Sequence, residues 1–531
     1  MSSNTFLPPI QRLPPELLQC IFPLCCDLLL PTEFHTISKR REIEDVRSPS
    51  FIHLSALALS HVCTRWRDIS LSDSDLWSRV EIRGWLEDLT TNKVSSIASL
   101  TALYLERSKQ RHLAIVVEFY DSFFGSKGDS DLIHLSDGLY EKARSFLPVY
   151  KLLFYEARRW RNVHICVHRT LSLSQPFLWP KRFPVLRHLS IHIMGNFFDS
   201  LGFITDLQLL EAPLLETLVH TGHNMLFAPY PDESEYWPLP SLQRALFTGA
   251  VSPNVKIAGP TTDLTLRHID GAMAMQLDYT PCLPKKLYIL TPPETYPYTT
   301  LSTTFDELTF PNLVELFIES SPLYIHEPNF PVNDSFIPFL DRSRSLSNKQ
   351  SLITHLSLIN VSIPDHELLS ILALLPLVSH FAIGDVYYHT RAKNDEGEDE
   401  EDHAERLSEM DEDSTMLSQS FFHALSSYDP GITLGLRELH VGFGRFNNTK
   451  RAAVLDFLNF SHRRRAQSNG GGGMLQYVRV KIPDDWRDDH MLEQVGWQAE
   501  GQEDRIIIDI DWISSSMEWR SGLGSWRVVD S

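Results

Sequence analysis

The chain lacks the patterns that mark extracellular, membrane or nucleic-acid-binding proteins. Its six cysteines, Cys20, Cys25, Cys26, Cys63, Cys166 and Cys282, include no C-x-x-C pair among 531 residues. Their scatter argues against a disulfide framework and for a reducing compartment, cytoplasmic or nuclear. The opening "MSSNTFLPPIQRLPPELL" has no charged region followed by an apolar run, so no secretory signal is expected. A sequon such as Asn333-Asp334-Ser335 then carries no weight. The longest apolar stretch, near "LLSILALLPLV", is interrupted by Pro376 and is too short to cross a bilayer. Positive charge is scarce: 48 Lys and Arg stand against 68 Asp and Glu, a net charge of -20. Nucleic acid and anionic membrane are thereby excluded as main partners, because phosphate binding depends on clustered Lys and Arg.

Motifs of catalysis are missing too. The chain contains no G-x-x-x-x-G-K-[ST] phosphate loop, no H-E-x-x-H and no G-x-S-x-G elbow. No catalytic residue and no cofactor are expected. "HICVH" (His164, His168) and "HLSIH" (His188, His192) imitate a zinc-ligand spacing. Both sit in strand patterns, where an offset of four places the rings roughly 13 Å apart at ~3.3 Å per residue. That is too far to share an ion, so no metal site is expected.

What is present is apolar and aromatic: 43% and 11% of residues, enough to fold most of a chain too long for one core. "LPPELLQCIF" reads as a helix start. Pro15 suits the first turn, Glu16 favours the positive end of the dipole, and Leu17 with Ile21 and Leu18 with Phe22 share faces. Pro23 is expected to stop or kink that helix. The polar "TEFHTISKRREIEDVRSPS" reads as a loop. A second helix is expected over "FIHLSALALSHVCTRWRDI", with Ala58, Val62, Trp66 and Ile69 as its apolar stripe. Ser72 or Ser74 is expected to cap a last turn carrying Leu76 and Trp77. Trp66 and Trp77 are expected in the core of this small helical region.

"LPPELLQCIF" followed by "LALSHVCTRWRDISLSDSDLW" closely resembles the F-box, the motif by which proteins bind the Skp adaptor of Skp–cullin–F-box ubiquitin ligases. Leu-Pro at the opening, then Val-Cys-x-x-Trp-Arg, then Leu-Trp stand in the family's order, over Leu13–Phe22 and Leu57–Ile82. The resemblance implies that Leu13, Pro14, Leu17, Leu18, Ile21 and Phe22, with Val62, Cys63 and Trp66, build or present the adaptor surface. The partners it implies are a Skp-type adaptor and its cullin ligase.

Beyond residue 82 a short pattern returns: an apolar residue, two positions, another, one position, a third. It appears in "LTALYL" (Leu100, Leu103, Leu105), "VLRHLSI", "LLETLVH", "NLVELFI", "LITHLSLIN", "LVSHFAI", "LRELHV" and "LQYVRV". Weaker copies are "NVHICV", "LQRALF", "DLTLRHI" and "PKKLYIL". Leu186 and Leu215 are 29 residues apart, and Ile353 and Val378 are 25 apart, near the leucine-rich-repeat period of about 20–29. "PDHELLSILALLPL" between two copies has helical spacing, as do "LYEKARSFLPVYKLLFYEARRW" and "KRAAVLDFLNFSHRRR". With the F-box, this resembles the large class of fungal F-box proteins with degenerate leucine-rich repeats.

The expected fold class is therefore α/β: a small all-helical F-box over 1–82, with an internal loop at about 31–50, then an irregular leucine-rich-repeat solenoid over 83–531. Two segments break the pattern, an acidic insert at 393–415 and a Gly-rich linker at 466–474. If the repeat leucines point inward, the residues between them form one outward ladder for an unknown protein substrate. That ladder includes His188 and His192; Glu315, Phe317 and Glu319; His355; His380; Glu438 and His440. The expected function is a substrate-recognition adaptor of a Skp–cullin–F-box ligase. The alternative is an F-box and repeat scaffold that does not deliver ubiquitin.

Overall fold

A run with an apolar residue at every second position buries one face of a strand, and strands whose connections cross over pair in parallel. The computed structural model describes residues 9–27, 55–85, 88–120, 141–142, 144–168, 182–194, 212–225, 237–251, 257–258, 262–267, 284–290, 301–302, 304–306, 309–320, 330–344, 351–361, 363–384, 417–418, 421–423, 436–442, 477–483 and 507–513. The chain is α/β, with parallel, open sheet. It divides into two compact units, 1–242 with 520–531, and 243–519. The boundary expected after residue 82 falls inside the first of them.

In the first unit the sheet strands are β1 (Arg79–Trp85), β2 (Leu113–Tyr120), β3 (Trp160–His168), β4 (His188–Met194) and β5 (Thr217–Met225), side by side in chain order. Their registers align two inward rows. Val80, Ile115, Val163, Leu189 and Leu218 form one, and Ile82, Val117, Ile165 and Ile191 the other; all are buried. Helix α1 (Pro15–Asp27), α2 (Ser55–Val62) and α3 (Thr64–Ser72) precede β1. They lie within this unit rather than in one of their own. Trp77, fully buried, packs edge-on against Tyr104 at 4.9 Å, beneath the Arg107 guanidinium at 4.3 Å. Tyr104 and Arg107 belong to α4 (Thr91–Arg107), which buries Val94, Ile97, Thr101, Tyr104 and Leu105.

Several expectations are corrected here. Of the two outcomes expected at Pro23, the helix does not stop there but runs on to Asp27. Gln19, whose carbonyl loses its partner, is exposed, so water can satisfy the group that an interior proline would orphan. The second helix is broken in two at Cys63, which is extended (φ -161, ψ 169) and caps α3 with its sulfur, 3.5 Å from the Trp66 amide. The stripe Ala58, Val62, Trp66, Ile69 therefore does not form, and Ala56 and Ser60 are the buried residues of α2. The turn carrying Leu76 and Trp77 is preceded by Asp75, with no side-chain cap. "LTALYL" is the end of α4 and no strand: over seventeen residues the helical spacing of its buried positions wins, which six residues cannot reveal. Of "LYEKARSFLPVYKLLFYEARRW", helix α5 covers Leu147–Tyr155.

The second unit contributes β6 (Arg244–Val251), β7 (Asp263–Arg267), β8 (Lys286–Leu290), β9 (Glu315–Glu319), β10 (His355–Ile359), β11 (His380–Gly384), β12 (Glu438–Gly442), β13 (Tyr477–Pro483) and β14 (Ile507–Ile513), again parallel and in chain order. Leu264, Leu287, Leu316, Leu356, Phe381, Leu439 and Val478 stand in one buried register row. Phe305, Phe330, Phe336 and Phe339 cluster with centroids 5.0–6.1 Å apart. The expected helix after β10 is α7 (Asp365–Leu374); α6 (Ile337–Arg342) has no counterpart in the sequence reading. The C-terminal "DRIIIDIDWI" supplies β14, paired with β13.

The loop at 31–50, the acidic insert, the Gly-rich linker and the helix expected at 450–465 lie outside the described residues. After the insert, Leu417 adopts a left-handed conformation (φ 60). Asp365 accepts hydrogen bonds there from the Leu417 amide at 3.0 Å, the Ser418 amide at 3.3 Å and the Ser418 hydroxyl. No helix among the described residues is long and apolar enough to cross a membrane.

Trp77→Ala empties the joint between the short helices and α4, and should cost about 3–5 kcal/mol. Leu71→Ala, at an exposed position, should cost less than about 1 kcal/mol. Urea denaturation of both variants checks this, and similar midpoints for the two would contradict the role given to Trp77.

Candidate protein-docking surfaces

The first surface is built on α1–α3. Leu18 and Phe22 are buried, and Phe22 meets Trp66 with ring centroids 4.9 Å apart. Arg65 donates through Nη2 to the Leu13 carbonyl, which ties α3 to the start of α1, and Arg67 Nε donates to the Ser60 carbonyl at 3.0 Å. Trp77 Nε1 donates to the Ser70 carbonyl at 2.7 Å, so the indole is both packed and satisfied. These contacts hold three short helices that no long core of their own could hold.

The expected adaptor residues divide into three groups. Leu18 and Phe22 form the interior. Leu13, Ile21, Cys63 and Trp66 are half-buried, and Pro14, Leu17 and Val62 are exposed. Leu17 (49%), Val62 (55%) and Leu24 (63%) keep about half or more of their surface in water. Leu17, Cys20 and Leu24, all exposed, recur at offsets of three and four, on one side of α1. Leu24 lies beyond Pro23, where the sequence leads the helix to be expected to stop or kink.

The second surface is the outward side of the strands. In the second unit, Lys286, Glu315, His355, His380, Glu438 and Tyr477 share one register rung. Lys286 pairs with Glu315 at 3.0 Å. The imidazoles of His355 and His380 lie parallel with centroids 3.9 Å apart, and His380 Nε2 reaches Glu438 Oε1 at 3.3 Å. The next rung sets Tyr288 flat on Phe317, 4.4 Å apart at 7°, followed by Ser357, Ala382 and His440. His440 Nε2 lies 3.8 Å from Glu438 Oε2. The structure thus brings together Glu315, Phe317, His355, His380, Glu438 and His440, with Glu319 on a third rung. Tyr288 was missed, although its place between Leu287 and Ile289 in a weak copy was readable.

His188 and His192 stand on the corresponding side of β4 in the first unit. Beside them His164 Nδ1 lies 2.8 Å from Ser190 Oγ. Burial lowers the His164 pKa from its ordinary value, opposed by Glu118 and aided by Arg83. A histidine against a serine is the start of a nucleophile–base pair. Here Ser190 is only 4% exposed, and the pair forms a cross-strand polar contact between β3 and β4. What these surfaces offer chemically is stacking, imidazole and carboxylate hydrogen bonding, and small floor positions, the elements of protein recognition.

No family model matches the chain, and no curated protein matches it either.

His220, on β5, stands in the inward row opposite Ile191 and is 2% exposed. Burial above all, then the nearby His192, push its pKa down to about 3 from 6.5, against a backbone hydrogen bond that raises it. The folded state therefore refuses a proton that the unfolded chain accepts below 6.5. Stability from this group is complete above that pH and falls, by at most about 1.4 kcal/mol per pH unit, as the pH drops towards 3. His220→Leu should flatten this part of the pH dependence. Urea titrations at pH 7.5 and 5.5 check it, and an equal loss in both proteins would refute a neutral buried His220.

Proposed function

We propose that the chain is a non-catalytic substrate-recognition adaptor of a Skp–cullin–F-box ubiquitin ligase. Helices α1–α3 act as the F-box that docks the Skp adaptor. The parallel strands are leucine-rich-repeat units of an irregular solenoid, and their outward ladder holds a protein substrate. The observation that carries the reading is the exposed apolar set Leu17, Leu24 and Val62 around the ordered Phe22–Trp66 contact. Apolar side chains held in fixed geometry and left in water favour a partner that covers them. The contribution to ubiquitin transfer is proximity: both proteins are held on one chain, so their encounter becomes effectively intramolecular.

The alternative, a scaffold that never delivers ubiquitin, rests on two features that would spoil docking: a first helix shortened at Pro23, and the long loop between the two halves of the F-box. With α1 running to Asp27, the first of these no longer applies, while the loop lies outside the described residues. The test uses the full chain, because Trp77 and the Leu57 amide both engage Tyr104 of α4. Leu17→Asp and Val62→Asp should each weaken capture of a purified Skp adaptor by about ten-fold or more without moving the melting temperature. In cells, proteins that accumulate when Leu17→Asp replaces the native chain should be the same ones that accumulate with Tyr288→Ala/Phe317→Ala. Undiminished capture by both aspartate variants would remove the F-box reading. Normal capture with no protein accumulating in either cell line would favour the scaffold.

A further inference from the structure

At the amino-terminal edge of β1, β2 and β3 the first unit contains a cavity of about 410 Å³. Arg79, Arg111 and Arg161 line it, together with His112 and Asn162, against one acidic residue, Asp75. In a chain of net charge -20, this is a local reversal of sign. From these groups we infer that the cavity is an oxyanion site for a phosphate monoester, carried by a phosphorylated side chain or a small phosphorylated molecule.

The backbone is arranged to deliver these arginines. Leu113 pairs with Trp160 and Ala114 with Asn162, so Arg161 is an extra residue, a β-bulge. The other three strand pairings of this unit run in unbroken register. A bulge turns a side chain out of the alternation that would otherwise aim it, and this one sets Arg161 at the cavity while Trp160 stays fully buried. Arg111 is placed by a different device. Arg159, nearly buried, donates through Nε to the Arg111 carbonyl at 3.0 Å and through Nη2 to Ser108 Oγ at 2.6 Å. The turn between them contains Lys109 at φ 51.

Charge and size agree on the ligand. A phosphate monoester carries nearly two negative charges at neutral pH and three acceptor oxygens, and guanidiniums match it with forked donors. Asp75 holds Arg111 at 3.1 Å, with both side chains more than half exposed (57% and 59%). So exposed a pair is worth little, and a dianion displaces it. Glu81 and Glu118, farther along the same strands, are engaged by Arg83 at 3.0 and 3.5 Å. A cavity of this volume receives a phosphate and its carrier group, but is no track for a nucleic-acid backbone.

This inference does not depend on the adaptor reading, and its failure would leave Skp capture untouched. The experiment is calorimetric titration of the full chain with inorganic phosphate, O-phosphoserine peptide, the same peptide unphosphorylated, and glycerol phosphate, at matched ionic strength. Inorganic phosphate should bind saturably. Arg161→Gln and Arg111→Gln should each weaken it by about ten-fold or more, with unchanged melting and unchanged Skp capture. Asp75→Asn, which removes the competing carboxylate, should tighten it even if an arginine variant fails to fold. Tighter binding of the phosphopeptide than of glycerol phosphate identifies a side chain as the source, and the reverse order a small molecule. Absence of saturable phosphate binding, or binding indifferent to all three substitutions, would overturn the site.

Discussion

The inward row Leu264, Leu287, Leu316, Leu356, Phe381, Leu439 and Val478 is the contact on which the second unit depends. A parallel strand of five residues has no local partner for its amides and no second face to close over its leucines. It exists because the strands on either side supply both. Each of these side chains, buried to within a few per cent of its surface, contributes about 1.5–3 kcal/mol of hydrophobic stabilisation only when its neighbours are present. Length and composition between strands are then free to vary. An acidic stretch can enter after β11 because the chain re-enters at Leu417 and Ser418, where Asp365 takes three hydrogen bonds.

Fixing the inward row fixes the outward one. Strand registers are locked, so side chains distant in sequence become neighbours at strand spacing, as with His355 over His380 and Tyr288 over Phe317. The small positions Ser357 and Ala382 fall between Phe317 and His440 on one rung, which leaves a floor between taller walls. Gly384 extends the theme one rung on: a Cβ there would lie 3.3 Å from the Ile359 side chain. A recognition surface of the proposed kind needs no dedicated loop. It is the unburied half of an alternation whose buried half does the folding, so it can change while the fold stays.

The same logic explains what was legible in sequence. The weak copies "DLTLRHI" and "PKKLYIL" were recognised as strands because alternation survives even where a leucine consensus does not, and they form β7 and β8. "LTALYL" misled because an L-x-x-L-x-L window fits both periods, and the longer helical pattern decided it. β1 and β2 were overlooked, although "RVEIRGW" alternates, because no repeat leucines head them. Pro23 and Cys63 were misread in opposite directions. One is a breaker that the helix tolerates because the Gln19 it orphans is exposed, and the other a residue without helix-breaking character whose extended backbone splits a helix. The arginine cavity is not legible in the sequence because its groups come from separate strands and the turns before them, and because a bulge, with no signature in "RRWRN", places Arg161.

How firmly α1–α3 are joined to the first sheet bears on the adaptor reading, since proximity raises an effective concentration only when the connection limits the space searched. A docking module on a loose joint would sweep a wide volume and dilute whatever it carries. Here the joint is tight. The buried indole of Trp77 is gripped by Tyr104 and Arg107 of α4, and Tyr104 Oη accepts the Leu57 amide at 3.4 Å. Farther along, Arg111 reaches Ser74 Oγ at 3.2 Å and Asp75 at 3.1 Å. Both sets of contacts join the short helices and the turn after them to residues just before β2. Binding at the arginine cavity would therefore act on the same turn that connects the docking helices to the sheet. That outer tie is an exposed pair worth little, so the tryptophan joint holds the short helices whether or not an anion draws Arg111 from Asp75.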